Sequence, residues 1–360
     1  MEKFHCKTKI FAGSGAIDAL KDLRISRLFL VCDPYFHENG TAQKVVNAAK
    51  ATDHCIFSQI MPDPTVELAA RGAAQMRNFC PDTVVALGGG STMDAAKAMV
   101  YFSGIQAPLI AIPTTSGSGS EVTDFAILTH DDVKHPLVDD RLKPDIAILD
   151  SELVRSLPQR LIAEGGFDLI SHALEAYVAT NRSSLSDLLA EEAFRQAMQG
   201  LKRSAEGDLH WRAQLHTAAT MAGMAFSQAG LGLCHAISHS LGGEFHIPHG
   251  RLNAILLPAV IECNASACGR EYARLAISAQ LSAGGEAMAL RALKNKLTHL
   301  RKELHLSENL LQAGLSPADI QCKLNRIVST VLADPCCATN PVKPNEDMVR
   351  GILVQVMGHG

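Results

Sequence analysis

The sequence predicts an α/β N-terminal domain built on a parallel sheet, followed by an all-α C-terminal domain. Three observations point to this class. A chain of 360 residues is long for a single hydrophobic core, so length favours more than one domain. Over roughly the first 150 residues, short and almost continuously apolar runs alternate with amphipathic stretches, the pattern of parallel strands covered on both faces by helices. Near Leu157-Pro158 the texture changes to a helical period rich in Ala, Leu and Met. The domain boundary therefore falls within residues 151–160, giving domains 1–155 and 156–360.

Taken in order, residues 27–33 read as a buried strand and 42–51 as a helix. Residues 55–60 read as a short strand and 66–79 as a helix. Residues 83–87 form a strand that runs into Gly88-Gly89-Gly90, and 91–102 form the next helix. Residues 108–113 are another strand. Two further β-like runs, 125–128 and 145–149, flank the polar segment Thr129-His130-Asp131-Asp132, which reads as a loop. Helices are expected over 164–177, 186–202, 211–226 and 286–304. No internal repeat or low-complexity segment is evident.

Bulk properties exclude several classes. The net charge of −4 makes no electrostatic case for nucleic acid. No apolar run approaches the ~20 residues of a membrane span. Met1-Glu2-Lys3-Phe4-His5-Cys6 lacks the apolar region of a secretory signal. The 10 cysteines include no Cys-x-x-Cys pair, and the adjacent Cys336 and Cys337 suit neither a zinc knuckle nor an ordinary disulfide. Free thiols in a reducing cytoplasm are the expectation. The 15 histidines are a generous supply, and their spacing bears on metal or acid–base chemistry.

Gly88-Gly89-Gly90-Ser91 follows a strand and opens a helix. Glycines let a ligand approach the backbone, and the helix N-terminus offers free N–H groups and a positive dipole end, so the turn suits a pyrophosphate. The fingerprint G-x-G-x-x-G is absent, and a tight strand–helix turn that binds nothing is the competing reading. A second turn, Thr114-Thr115-Ser116-Gly117-Ser118-Gly119-Ser120-Glu121, also follows a strand and combines hydroxyls with glycines. Two such turns at successive strand ends fit the rule that ligands of open α/β sheets sit beyond the strands' carboxyl ends. Asp33 ends the first strand. It is placed either to accept from an adenosine ribose and repel a 2′-phosphate, or simply to begin the turn at Asp33-Pro34. Both readings stand open at this point.

Asp168 and His172 are four apart in an expected helix, so both project from one face. His235 and His239 repeat that spacing, and His249 follows in Ile247-Pro248-His249-Gly250. Imidazoles and a carboxylate at this spacing suit a divalent first-row metal such as Fe²⁺ or Zn²⁺. A lone histidine is more often a core or capping residue, the reading given to His5, His37 and His54. Such a metal polarises a carbonyl and a nicotinamide exchanges hydride, across a cleft between domains.

These residues also carry a family resemblance. Gly88-Gly89-Gly90-Ser91-x-x-Asp94-x-x-Lys97, Pro113-Thr114-Thr115 through Thr123, Asp168-x-x-x-His172-Ala173-x-Glu175-Ala176, and Gly232-x-x-His235-Ala236-x-x-His239 through His249-Gly250-x-x-Asn253 together resemble the iron-containing (group III) alcohol dehydrogenases. The likeness runs in order along nearly the whole chain. It is greatest to the compact members associated with bacterial microcompartments, through residues 224–232 and Asn340-Pro341. The resemblance implies the dehydroquinate synthase-like fold: a Rossmann-like α/β domain and a helical metal-binding domain. It implies Asp168, His172, His235 and His249 as ligands of Fe²⁺, with Zn²⁺ as an alternative. His239 corresponds to an extra histidine, a candidate proton relay. It implies that Asp33 selects NAD, that Gly89, Gly90 and Ser91 hold the pyrophosphate, and that Thr114, Thr115, Ser118 and Lys134 line the rest of the cofactor site. The implied activity interconverts a short primary alcohol and its aldehyde, such as 1-propanol and propanal.

Two residues bear on substrate size. Phe125 falls where some relatives carry a polar residue, and with Phe226 it would narrow the pocket; both also read as plain core residues. A homo-oligomer, dimer or larger, is implied, with microcompartment shell or enzyme partners as a further expectation. A glycerol-dehydrogenase-like polyol oxidoreductase on the same scaffold and a non-catalytic microcompartment component are the alternatives.

Overall fold

The structure is a computed structural model that describes residues 2, 4–131 and 133–358. The chain falls into two compact units that meet between Leu157 and Pro158. The N-terminal residue Glu2 belongs to the second unit, where its carboxylate accepts from the backbone N–H of Ser184 at 3.1 Å and from its hydroxyl at 2.6 Å.

The first unit contains β1 (Lys9–Gly13), β2 (Arg27–Cys32), α1 (Pro34–Glu38), α2 (Thr41–Ala49) and β3 (Asp53–Phe57). It continues with α3 (Val66–Phe79), β4 (Thr83–Gly88), α4 (Gly90–Ser103), β5 (Leu109–Pro113), β6 (Phe125–His130), β7 (Val133–Val138) and β8 (Ile146–Asp150). Six strands form one parallel sheet in the order β1-β8-β5-β4-β2-β3. Successive residues of its inner strands serve opposite faces. Phe29, Val31, Val84, Ala86 and Ala111 pack with α3 and α4, whereas Leu28, Leu30, Val85, Leu87, Ile110 and Ile112 pack with α2 and the 3₁₀ turn Ala16–Asp22. Burial on both faces explains why the strands read as continuous apolar runs. The chain leaves β2 for β3 on one side and returns to β4 on the other. The sheet therefore has its switch point between β2 and β4, the place where open α/β sheets take ligands.

Two expectations need correction here. The strand expected at 55–60 is Asp53–Phe57, beginning two residues earlier. The β-like run at 125–128 is a strand, the start of β6 in a separate antiparallel hairpin with β7. Thr129 and His130 of the expected loop belong to β6 and Asp131 to the turn, while Asp132 lies outside the described residues. The hairpin carries Pro136 in an edge position, where a missing N–H costs no ladder bond. β1 also escaped the sequence pattern, because this edge strand is largely exposed.

The second unit is helical: α5 (Gln159–Val178), α6 (Ser184–Ala205), α7 (Leu209–Ala229), α8 (Leu233–Phe245), α9 (His249–Ser278), α10 (Glu286–Glu303), α11 (Pro317–Ala333) and α12 (Glu346–Met357). Serine capping boxes start α6 and α11, and Asp208 and Asn345 cap α7 and α12. Among the described residues, α9 is the one helix long and apolar enough to cross a membrane by length and composition. This differs from the expectation that no apolar run approaches that length. About two thirds of its most apolar stretch is buried, as befits a core helix, and it is kinked at Cys268. All 10 cysteines are free.

The start of α9 lies hard against α5. A Cβ on Gly250 would stand 2.0 Å from the carbonyl oxygen of Glu164, and the neighbouring Arg251 guanidinium donates twice to the Glu164 carboxylate, at 2.7 and 3.1 Å. Backbone cannot yield as a side-chain tip can, so Gly250→Ala should cost about 2 kcal/mol or more. Urea unfolding checks this, and an unchanged midpoint would show that the two helices have room to part.

Candidate metal centre and cofactor turns

α5 turns once every 3.6 residues, so Asp168 and His172 lie one above the other on its buried face. α8 delivers His235, and His249 is the first residue of α9. Three imidazole Nε2 atoms converge on one oxygen, Asp168 Oδ1: His172 and His235 at 3.8 Å and His249 at 3.6 Å. Asp168, His172 and His235 also satisfy mutual ligand-atom spacing within 4.8 Å. Metal–ligand bonds of about 2.0–2.2 Å put tetrahedral donors near 3.4 Å apart. Asp168, His172 and His235 thus have the spacing to hold a small divalent cation, and His249 Nε2, 3.6 Å from Asp168 Oδ1 but outside that mutual group, is a candidate fourth donor. Their N₃O set accepts both Fe²⁺ and Zn²⁺.

Electrostatics point the same way. Burial would raise the Asp168 carboxyl, but His172, His235 and His249 outweigh it and hold the group well below the carboxylate range. Burial likewise opposes a charged His235, yet Glu175 and Asp168 raise it to about 9. A cation at His235 Nε2 would have to displace that proton. His249, with 30% of its side chain exposed, is pushed toward the neutral, ligating form by burial and by the neighbouring imidazoles, against the pull of Asp168.

Supporting residues fix each donor. Glu175, one turn beyond His172 on α5, faces His235 Nδ1 at 2.5 Å, leaving Nε2 for a ligand role. Its carboxylate also accepts the N–H groups of Gly232 at 3.0 Å and Cys234 at 2.7 Å, which cap the start of α8. Asn340 accepts from Leu233 N–H at 3.0 Å, completing that cap. Asn253 donates to Asp168 Oδ1 at 2.9 Å and accepts from Ser238 at 2.5 Å. Phe226 stacks on His172 with ring centres 4.3 Å apart and planes 16° apart, fixing the ring's tilt. Sequence reasoning quoted Glu175 and Asn253 within motifs but gave them no role. Their only signal was spacing beside the histidines, since their partners lie up to 85 residues away.

His239 is four residues beyond His235 on α8 and stacks on His249, ring centres 5.2 Å apart. Its Nδ1 is 2.9 Å from Asp334 Oδ2. Burial tends to raise Asp334, but His239 and the Cys336 N–H overcome it and hold the carboxyl at about 2. Nothing in the sequence pattern marked Asp334.

In the first unit the two glycine-bearing turns lie side by side. Thr114 N–H donates to Gly88 O at 3.0 Å. A Cβ at Gly89 would approach the Thr115 side chain to 3.3 Å, and one at Gly90 would approach Ser118 to 3.4 Å. Gly89 precedes α4 without a side-chain cap, so the first N–H groups of that helix remain for a ligand or water. These turns follow β4 and β5, and Asp33 follows β2, so all lie at strand carboxyl ends at and beside the switch point. Asp33 caps α1 by accepting from Phe36 N–H at 3.2 Å, and burial raises its carboxyl. One capping bond leaves a carboxylate further acceptor sites for a ribose. Lys134 lies on β7 with its ammonium 2.7 Å from Asp63. Phe125 opens β6, and its carbonyl accepts from Lys97 at 2.9 Å.

Lys97, 1% exposed, also donates to Ser120 at 3.0 Å and Thr123 at 2.9 Å, and Ser120 in turn donates to Asp94 at 2.8 Å. This network ties α4 to the second turn. Burial lowers the Lys97 ammonium to about 8, against the pull of Asp94, Glu121 and Asp124.

Comparison with known proteins fits the two halves. Residues 7–151 match the family described as iron-containing alcohol dehydrogenase, and residues 162–357 match its C-terminal domain. The chain belongs to the iron-containing alcohol dehydrogenase family and is an oxidoreductase. It is 39% identical to the 1-propanol dehydrogenase PduQ of Salmonella typhimurium, over 99% of this chain and 100% of that protein. It is 36% identical to an NADPH-dependent butanol dehydrogenase of Clostridium saccharobutylicum, over 98% and 97% of the two chains. The iron-containing alcohol dehydrogenase of Thermococcus thioreducens has the same fold, with a TM-score of 0.90, 31% identity, and coverage of 98% and 99%.

Two predictions follow from this geometry. Glu175→Gln keeps the side-chain shape but removes the charge behind His235, so metal affinity should fall about 10–100-fold with the fold retained. Competition against a chelator measures it, and unchanged affinity would remove Glu175 from the centre. For Lys97, the folded value near 8 lies below the ordinary 10.5, so above pH 8 the unfolded chain holds the extra proton. Stability from this group rises with pH through that window, by at most about 1.4 kcal/mol per unit. Wild type should therefore gain on Lys97→Met between about pH 8 and 10 in denaturant titrations; parallel curves would contradict the burial argument.

Proposed function

We propose that the protein is a metal-dependent, NAD(H)-linked alcohol dehydrogenase that interconverts a short primary alcohol and its aldehyde, with 1-propanol and propanal as the leading pair. The observation that carries this reading is the convergence of three imidazole nitrogens on Asp168 Oδ1. A divalent cation, Fe²⁺ or Zn²⁺, supplies Lewis acidity to the substrate oxygen, and the nicotinamide supplies or takes the hydride.

The chain's own residues do the rest. Asp168, His172, His235 and His249 hold the cation, while Glu175 and Asn253 keep His235 and Asp168 in ligating orientation. His239, steadied by Asp334, carries the proton that the alcohol loses or the aldehyde gains. Gly89, Gly90 and Ser91 receive the pyrophosphate, and Thr114, Thr115, Ser118 and Lys134 line the remaining cofactor surface. Asp33 accepts from the adenosine ribose and repels a 2′-phosphate, which favours NAD here although the Clostridium saccharobutylicum relative is NADPH-dependent. Phe226, packed on His172, restricts the space beside the cation and favours small aldehydes. A homo-oligomeric state and residence in a bacterial microcompartment within the cytoplasm complete the proposal, by similarity to the propanol dehydrogenase.

Anaerobically purified protein loaded with Fe²⁺ should oxidise NADH with propanal faster than NADPH. Asp168→Ala or His249→Ala should lose the cation and cut kcat/KM by more than about 100-fold, beyond the range of supporting residues. Full turnover after exhaustive chelation, or in Asp168→Ala, would overturn the reading.

A further inference from the structure

The helical unit holds a second constellation of ligand atoms. His239, Asp334 and Cys336 each offer one donor, a ring nitrogen, a carboxylate oxygen and a thiol, all within 4.8 Å of one another and all half-buried. None of the three belongs to the Asp168 group. We propose that they form a second, inhibitory cation site, selective for a thiophilic divalent ion such as Zn²⁺.

The local fold prepares this site. Asp334 caps the 3₁₀ turn Pro335–Thr339, and one carboxylate oxygen accepts the Cys336 N–H at 2.8 Å. That bond folds the short link between the two residues and brings their donors to one side of the turn. The other carboxylate oxygen faces His239 Nδ1 at 2.9 Å, so α8 supplies the third donor from a separate element. Two donors on one turn and a third from a rigid helix form a chelate whose ordering cost is already met in the fold. The hydrogen bond between His239 and Asp334 occupies the cluster with a proton, which a cation would replace.

The two sites differ in chemistry. The Asp168 group contains three imidazoles and a carboxylate with no sulfur. The second contains a thiol, which soft and borderline ions favour and Mg²⁺ or Ca²⁺ do not. Coordination displaces the thiol proton to solvent. Because His239 stacks on His249 at 5.2 Å, an ion on His239 would lie beside the first site. Its inhibitory effect rests on the proton-carrying role proposed above for His239. Its binding does not.

The test titrates Co²⁺ anaerobically into metal-free full-length protein. Two equivalents should bind, and a thiolate-to-cobalt charge-transfer band in the near ultraviolet should grow only with the second. Cys336→Ser should abolish the band and keep the first equivalent, while Cys337→Ser keeps both. Asp334→Asn, which can still cap the turn, should weaken the second equivalent at least about tenfold. Asp168→Ala should lose the first equivalent and keep the band. In activity assays Zn²⁺ in excess should inhibit wild type, with relief in Cys336→Ser. A single equivalent bound without the thiolate band, or a band that survives in Cys336→Ser, overturns the second site. Failure of the first equivalent with the band intact would instead count against the Asp168 centre, so the two readings fail separately.

Discussion

A buried carboxylate encircled by imidazoles is the constraint around which the helical unit is organised. Asp168 is 9% exposed and His235 only 1%. Charges so removed from water are costly unless each is paired, and pairing one oxygen with three rings leaves an excess of donors that a cation resolves. The surrounding residues follow from that demand. Glu175 supplies the negative charge behind His235, and Asn253 donates to the same Asp168 oxygen that the rings surround. Gly250 lets α9 approach α5 closely enough for His249 to join.

The same logic separates the two units. The α/β unit offers backbone, with glycines, helix N–H groups and small hydroxyls, and the buried Lys97 network braces those turns. The helical unit offers side chains projected from helix faces. A phosphate is large and anionic and suits the first kind of surface. A small cation needs the short, fixed reach of the second.

Much of this was legible in the sequence because helical spacing is a local property. Asp168 with His172 and His235 with His239 announce a shared face four residues apart, and the inner strands announce themselves by unbroken apolar runs. Glycine turns after strands were readable for the same reason. What escaped was non-local or masked by composition. β1 is an exposed edge strand, and β7 carries a proline, so neither shows the burial pattern that marks a strand. The roles of Glu175, Asn253 and Asp334 depend on partners 60, 85 and 95 residues distant. Cys336 was set aside because its sequence neighbour is another cysteine, whereas its spatial neighbours are a carboxylate and an imidazole.

Asn340 supports the start of α8 from far along the chain. Its side chain accepts from Leu233, exchanges hydrogen bonds with Asn264, and leaves no space for a Cβ at Gly232. On a ribosome, where residues appear in order, α5, α8 and α9 all emerge before this clasp exists. The start of α8 therefore gains its Asn340 bond only after α5, α8 and α9 have all been made.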